Sequence, residues 1–162
     1  MTAINWVCKP FAKLSATTLY DILHVRCAVF VVEQRCAYLD ADNVDKAPTC
    51  LHLIGTAEDD HTVAAYARLL GPGTKSPTQV HAVISRVVTA PAHRGSGVGK
   101  ALMTKAIEAC DHSWPNTPIL LNAQARLAPF YSSLGFVQSS ELYTEDGIEA
   151  IDMLRHPPTT SA

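Results

Sequence analysis

Apolar residues recur along this chain with a period that changes from one segment to the next. Residues 4–8, 51–57, 63–70, 80–89 and 119–122 are short runs dominated by Val, Ile, Leu and Ala, and each predicts a strand. Over 15–30 the spacing is helical instead. Leu19, Ile22, Leu23, Arg26, Cys27 and Phe30 fall on one face, and Ser15 is placed as the N-cap. Arg26 interrupts that otherwise apolar face. A second helix is expected over 98–110, burying Val98, Leu102, Met103, Ala106 and Ile107. A third, short one carries Leu127, Phe130, Tyr131 and Leu134 and stops at Gly135. Residues 136–143 and 148–154 read as a strand pair around Glu145-Asp146-Gly147.

The breaks are as legible as the runs. Residues 58–61, Glu-Asp-Asp-His, predict a hairpin turn, and Gly71-Pro72-Gly73 ends the strand after it. Asn116-Thr117-Pro118 separates the second helix from the next strand, and the acidic stretch around Asp42, Asn43, Asp45 and Pro48 reads as a loop. Strands and helices mix without strict alternation. That order predicts an α/β fold whose sheet is mixed rather than wholly parallel.

Composition narrows the class. A chain of 162 residues suits one domain, placed here at 1–156, with 157–162 expected as a disordered tail. Hydrophobic content of 48% and charged content of 17% describe a globular protein. A net charge of −2 gives no electrostatic case for nucleic acid. The longest apolar run, 27–32, is too short to span a bilayer, and no signal-peptide pattern opens the chain. A cytoplasmic protein is expected, with a nuclear location left open. The cysteines are Cys8, Cys27, Cys36, Cys50 and Cys110; none pairs at zinc-site spacing, so no metal is expected and reduced, mostly buried thiols are. Cys36 stands apart, just past a helix in a polar loop.

The chemistry concentrates at residues 94–99, Arg-Gly-Ser-Gly-Val-Gly, between a strand and a helix. Glycines bare the backbone N–H groups there, and the helix start adds its positive dipole end, which favours a phosphate-bearing ligand. No Gly-Lys-Ser/Thr follows, so a nucleoside triphosphatase loop does not fit. The glycine spacing also departs from the dinucleotide fingerprint. Taken alone, such a turn also reads as a plain helix entry.

Two motifs in order carry a resemblance. Arg-x-x-Gly-x-Gly at 94–99 resembles the coenzyme A pyrophosphate loop of the GNAT acyltransferase superfamily, and Phe130-Tyr131-Ser132-Ser133-Leu134-Gly135-Phe136 resembles its Phe-Tyr-x-x-x-Gly-Phe signature. Further strings are similar to the ElaA-like group of that superfamily: Arg26, residues 29–34 (Val-Phe-Val-Val-Glu-Gln), Cys36, Tyr38, Asp42, Asp45, His52, Arg68, Arg86, Gln124 and Glu145-Asp146-Gly147-Ile148 with Met153. The likeness spans about 4–155. The group often carries a histidine where this chain has Ala150 and a glutamate where it has Asp40.

The resemblance implies a mostly antiparallel sheet of six or seven strands with a splayed pair, 80–89 parting from 119–122. It implies an N-acetyltransferase that uses acetyl-CoA as co-substrate and acts on a small primary amine by direct attack in a ternary complex. The competing class is an acetyl-CoA-binding sensor or partner-binding protein with little turnover. The coenzyme residues would be Arg94, Gly95, Ser96, Gly97, Val98, Gly99 and Lys100 at the pyrophosphate, with Val87, Val88, Thr89 and Asn122 beside the pantetheine. Tyr131 is the candidate acid for the leaving thiolate, although it also sits on an apolar helical face where it could simply pack. Glu33 is the candidate base, with a salt bridge or helix-end contact as its equal alternative; His52 and His81 are weaker candidates. Asp42, Asp45, His52, Arg86, Glu145 and Asp146 are candidate acceptor-side groups that favour a cationic amine. Neither a nucleic-acid nor a membrane partner is expected, and a monomer or homodimer is.

Overall fold

Eight strands share one open sheet in the computed structural model, which describes residues 2–159; residues 1 and 160–162, the end of the expected tail, lie outside the described residues. The strands are β1 (Ile4–Pro10), β2 (Cys50–Ala57), β3 (Val63–Leu70), β4 (Ala82–Thr89), β5 (Ile119–Gln124), β6 (Val137–Gln138), β7 (Tyr143–Glu145) and β8 (Ile148–Arg155). Their order is β1-β2-β3-β4-β5-β8-β6, with β7 also on β8. All pairs are antiparallel except β4 with β5. The count exceeds the six or seven expected because the run 136–143 does not stay extended. It breaks into β6 and β7, which pair with different stretches of β8.

The parallel pair is the splayed one. β4 meets β5 only at Ala82–Ile119 and Val83–Leu120. Beyond Val83 the two strands part, and β4 keeps only its β3 neighbour.

Three helices cover the sheet: α1 (Ala16–Arg26), α2 (Val98–Ser113) and α3 (Ala128–Ser132). The Ser15 hydroxyl accepts from the Thr18 N–H, as its N-cap role requires. Strand alternation splits the core between two faces. Leu53, Ala65, Ala67, Leu69 and Ile84 pack under Leu102, Met103 and Ala106 of α2. Ile54, Tyr66 and Val88 point the other way, onto Ile22 and Val25 of α1. The α1 face is rotated from the expected one: Ile22, Val25, Arg26 and Val29 are buried, whereas Cys27 is exposed. Residues Cys27–Glu33 continue α1 as a π-helix. Among the described residues, no helix is long and apolar enough to cross a membrane.

Candidate active site

β4 carries an irregularity where it leaves β5. The β3–β4 register shifts between Tyr66 and Arg68, so Arg86 and Val87 stand where regular pairing allows one residue. Arg86 takes a left-handed φ of 52°, a strained value for a residue with a Cβ. The extra residue has a clear effect on facing. Ser85 bonds Arg68, Arg86 reaches the α1 side, and Val88 packs there too, whereas Val87 packs with the α2 core. Strict alternation could not deliver that set.

A buried ion network holds the bulge. Arg26, fully buried, donates Nε to Asp40 at 2.9 Å and Nη1 to Asp45 at 2.7 Å. Arg68 donates Nη1 to Asp42 at 2.8 Å and to Asp45 at 3.1 Å. Arg86 donates Nη2 to Asp42 at 3.2 Å, and its guanidinium lies 5.1 Å over the Tyr38 ring. Its Nε sits 2.8 Å from Asp40 Oδ1 as an ion contact, but the N–H is not aligned for a hydrogen bond. The Tyr38 hydroxyl donates to the same oxygen at 2.9 Å. Three arginines thus face three aspartates, and each charge is matched inside the group. Arg26, the residue that broke the apolar helix face, is its deepest member.

His52 is buried beneath the network rather than open to an acceptor. The Asp45 carbonyl can only accept, so His52 Nε2–H donates to it at 2.9 Å and Nδ1 accepts from the Tyr66 hydroxyl at 2.7 Å. Burial pushes the imidazole pKa below its ordinary 6.5. Burial opposes the same direction at Asp42, but Arg68 hydrogen bonds and charge hold that carboxyl below 3.8. Both groups bind protons less readily folded than unfolded, so stability rises with pH through each window. Stability is expected to be full above pH 6.5 and to fall as His52 is forced to protonate below it, falling again below 3.8. Urea midpoints measured across this range check it; a flat profile from neutral pH into the fives would contradict it.

The sheet gap opens into a cavity of about 500 Å³. Ser85, Arg86 and Val87 line it from β4, and Leu121, Asn122 and Gln124 from β5. Tyr131 lines it from α3, and Glu145 with Asp146 from the β7–β8 turn. Tyr131 is 7% exposed, wedged edge-on between Phe130 and Phe136. Its hydroxyl has no hydrogen-bond partner among the described residues, and burial raises its pKa, so the phenol keeps its proton at neutral pH. Cys36, expected in a polar loop, is buried on the cavity wall. Ala150, at the position where a histidine was the alternative, is buried there as well. Asn122 donates to Asp152 at 2.6 Å and to the Tyr143 hydroxyl at 3.2 Å, which ties β5 to β8 and β7.

At the end of β4 the chain enters α2 through the glycine turn. Gly95 and Gly97 take φ of 77° and 82°, and a Cβ on either would meet open space. From Gly95 to Lys100 no backbone N–H donates to the protein within the described residues. That run of bare donors, at a helix start beside Arg94 and Lys100, has the geometry that suits an anion. Glu33 lies at this end, outside the cavity lining. Its carboxylate clamps Arg94 with bonds of 2.7 and 3.1 Å, and that pairing lowers its pKa. The salt-bridge alternative is therefore what the geometry displays; a carboxylate so held is a weak base.

Residues 49–156 match the family model described as "Acetyltransferase (GNAT) domain". Protein ElaA of Escherichia coli is 44% identical over 94% of this chain and 96% of its own length. The chain belongs to the GNAT acyltransferase family, in its ElaA-like branch. Solved structures agree with the placement. The crystal structure of Escherichia coli ElaA aligns with a TM-score of 0.86 at 43% identity, covering 95% of this chain and 100% of that one. An acyl-CoA N-acyltransferase from Pseudomonas aeruginosa aligns with a TM-score of 0.88 at 40% identity, covering 94% and 99%. The protein is an acyltransferase that uses a coenzyme A thioester. The residues present suit that group: bare N–H donors with open space above two glycines would hold a pyrophosphate, and the unpaired edge of β4 would pair with amide groups.

Periodicity had no means of finding Asp40, Tyr38 or Arg68 as site residues. Asp40 and Tyr38 lie in an acidic stretch that reads as a loop, and Arg68 is one charge in an apolar strand; only an arginine inside an apolar helix face hinted that buried carboxylates must exist.

Proposed function

We propose that this GNAT acyltransferase moves an acetyl group from acetyl-CoA to a small primary amine, the two bound together in a ternary complex. The observation that carries the reading is Tyr131: a buried side chain whose protonated hydroxyl has no hydrogen-bond partner among the described residues, on the cavity where β4 and β5 part. Such a group suits a proton donor to a departing thiolate. The bound thioester supplies the acyl carbon and the leaving thiol. Backbone donors of Gly95, Ser96, Gly97, Val98, Gly99 and Lys100, with Arg94, hold the pyrophosphate end. Val87, Val88 and Thr89 offer main-chain groups along the gap, with Asn122 on the facing strand. Asp45 and His52 are scaffold in this scheme, and Glu33 positions Arg94. The amine's proton passes to water in the open cavity, and the rate rests on holding amine and thioester together.

Incubation of the protein with acetyl-CoA and an amine library, read as free thiol, tests the reading. Turnover with at least one amine, absent without protein, is expected; tight acetyl-CoA binding with no thiol release from any amine would point to a coenzyme sensor instead. Gly97→Val separates the two ends of the site. A β-branched residue at φ 82° must rebuild the turn, so acetyl-CoA affinity is expected to fall about ten-fold or more. Calorimetry on the folded variant measures it, and undiminished affinity would remove the glycine turn from the scheme.

A further inference from the structure

The charges that line the cavity sort into two kinds. Arg68, Arg86 and Asp42 are matched within the buried network. Glu145, Asp146 and Lys75 also line the cavity, are exposed, and make no ion pair among the described residues. The two carboxylates are adjacent in a tight hairpin. Glu145 pairs with Ile148 across the β7–β8 ladder, and Asp146 and Gly147 make the turn at φ of 50° and 77°. One lysine against two carboxylates leaves the unmatched charge of the cavity negative. Tyr131, a side chain 7% exposed whose hydroxyl has no hydrogen-bond partner among the described residues, lines the same cavity and marks it independently as a place where a ligand belongs.

We infer that the acceptor is a diamine: one nitrogen is acetylated, and the second stays charged and is held by Glu145 and Asp146. This rests on the acyl-transfer reading above. The two nitrogens need opposite states. The attacking one must be neutral, while the far one gains by remaining an ammonium between two carboxylates. The field of the pair reaches the cavity wall: after burial, Asp146 and Glu145 are what push the Cys36 thiol pKa up. A carboxylate-tailed acceptor would meet that field as repulsion, with only Lys75 to offset it.

Three amines of one length make the test: 1,4-diaminobutane, n-butylamine and 4-aminobutyrate, each with acetyl-CoA, read as free thiol. Each has four carbons, and the far end is an ammonium, a methyl or a carboxylate. The diamine is expected to exceed butylamine in kcat/KM by about ten-fold or more, chiefly through KM, with the amino acid slowest. In the Glu145→Gln/Asp146→Asn double variant the diamine-to-butylamine ratio should collapse toward one. Glu141→Gln, an exposed carboxylate outside the cavity lining, should leave the ratio in place. Equal kcat/KM for all three amines, a preference for the amino acid, or a ratio indifferent to the double variant would overturn the inference and leave acyl transfer standing. Calorimetric binding of 1,4-diaminobutane to the coenzyme A-loaded protein separates the remaining case. Diamine binding lost in the double variant, with no amine acetylated, would keep the site and sink the acyl-transfer reading. Absence of both binding and turnover would sink the inference.

Discussion

Tyr131→Phe is expected to slow acyl transfer by about 10²–10⁴-fold while acetyl-CoA affinity changes little. The substitution keeps the ring wedged between Phe130 and Phe136 and deletes only the hydroxyl. Because that hydroxyl bonds to no described protein group, its loss leaves no orphaned partner in the core, and the fold should be nearly indifferent. The usual ambiguity of a buried tyrosine is therefore small here: a structural role predicts no change in turnover, and an acid role predicts a large one. Product release can mask part of a chemical defect, so the single-turnover rate is the quantity to measure. Near-normal single-turnover rates would transfer the donor role to water.

Asp40→Ala is expected to destabilise the fold by about 3–5 kcal/mol. It removes the acceptor of Arg26 Nε, on a guanidinium with no exposure, together with the Tyr38 hydroxyl bond and the Arg86 contact. The charge left behind cannot reach water. Urea denaturation measures the loss. Asp40→Glu restores a carboxylate at the cost of one methylene, about 1–3 kcal/mol if the pocket cannot give. It should recover much of the deficit. The two variants also separate two roles. If the network holds the β4 bulge in its catalytic shape, residual turnover of folded Asp40→Ala should drop in kcat, whereas Asp40→Glu should not. Equal stability of the wild type and Asp40→Ala would deny the network any part in holding the fold.

Most of the architecture was legible because burial repeats locally. The strands at 51–57 and 63–70 were readable as apolar runs bounded by turn residues, and α2 as a helical spacing after a glycine turn. The run 136–143 misled for the same reason. Its local pattern suits one strand, but the strand it pairs with offers two separate registers, and pairing is a non-local property. The glycine turn with its free N–H groups was legible too, since glycine identity and helix entry fix N–H exposure within a few residues. The acceptor side was not. Glu33, read as a base or a salt bridge, is clamped by Arg94, and His52, the weaker candidate, is sealed beneath Asp45.

The amino-acid sequence by itself determined the order of elements, the glycine turn after β4 and the tyrosine on the third helix, because each rests on residue types within one or two turns of chain. Only the tertiary structure decided the rest. It brought Arg26, Asp40, Asp42, Asp45, Arg68 and Arg86 together from four separate segments, cancelled their charges and left Glu145 and Asp146 unmatched at the cavity. It also set the bulge at Arg86, where a residue with an ordinary side chain is held at positive φ by distant ion contacts. The physical reason is common to both: a charge acts on whatever is near in space, and spacing along the chain does not encode which distant charge that will be.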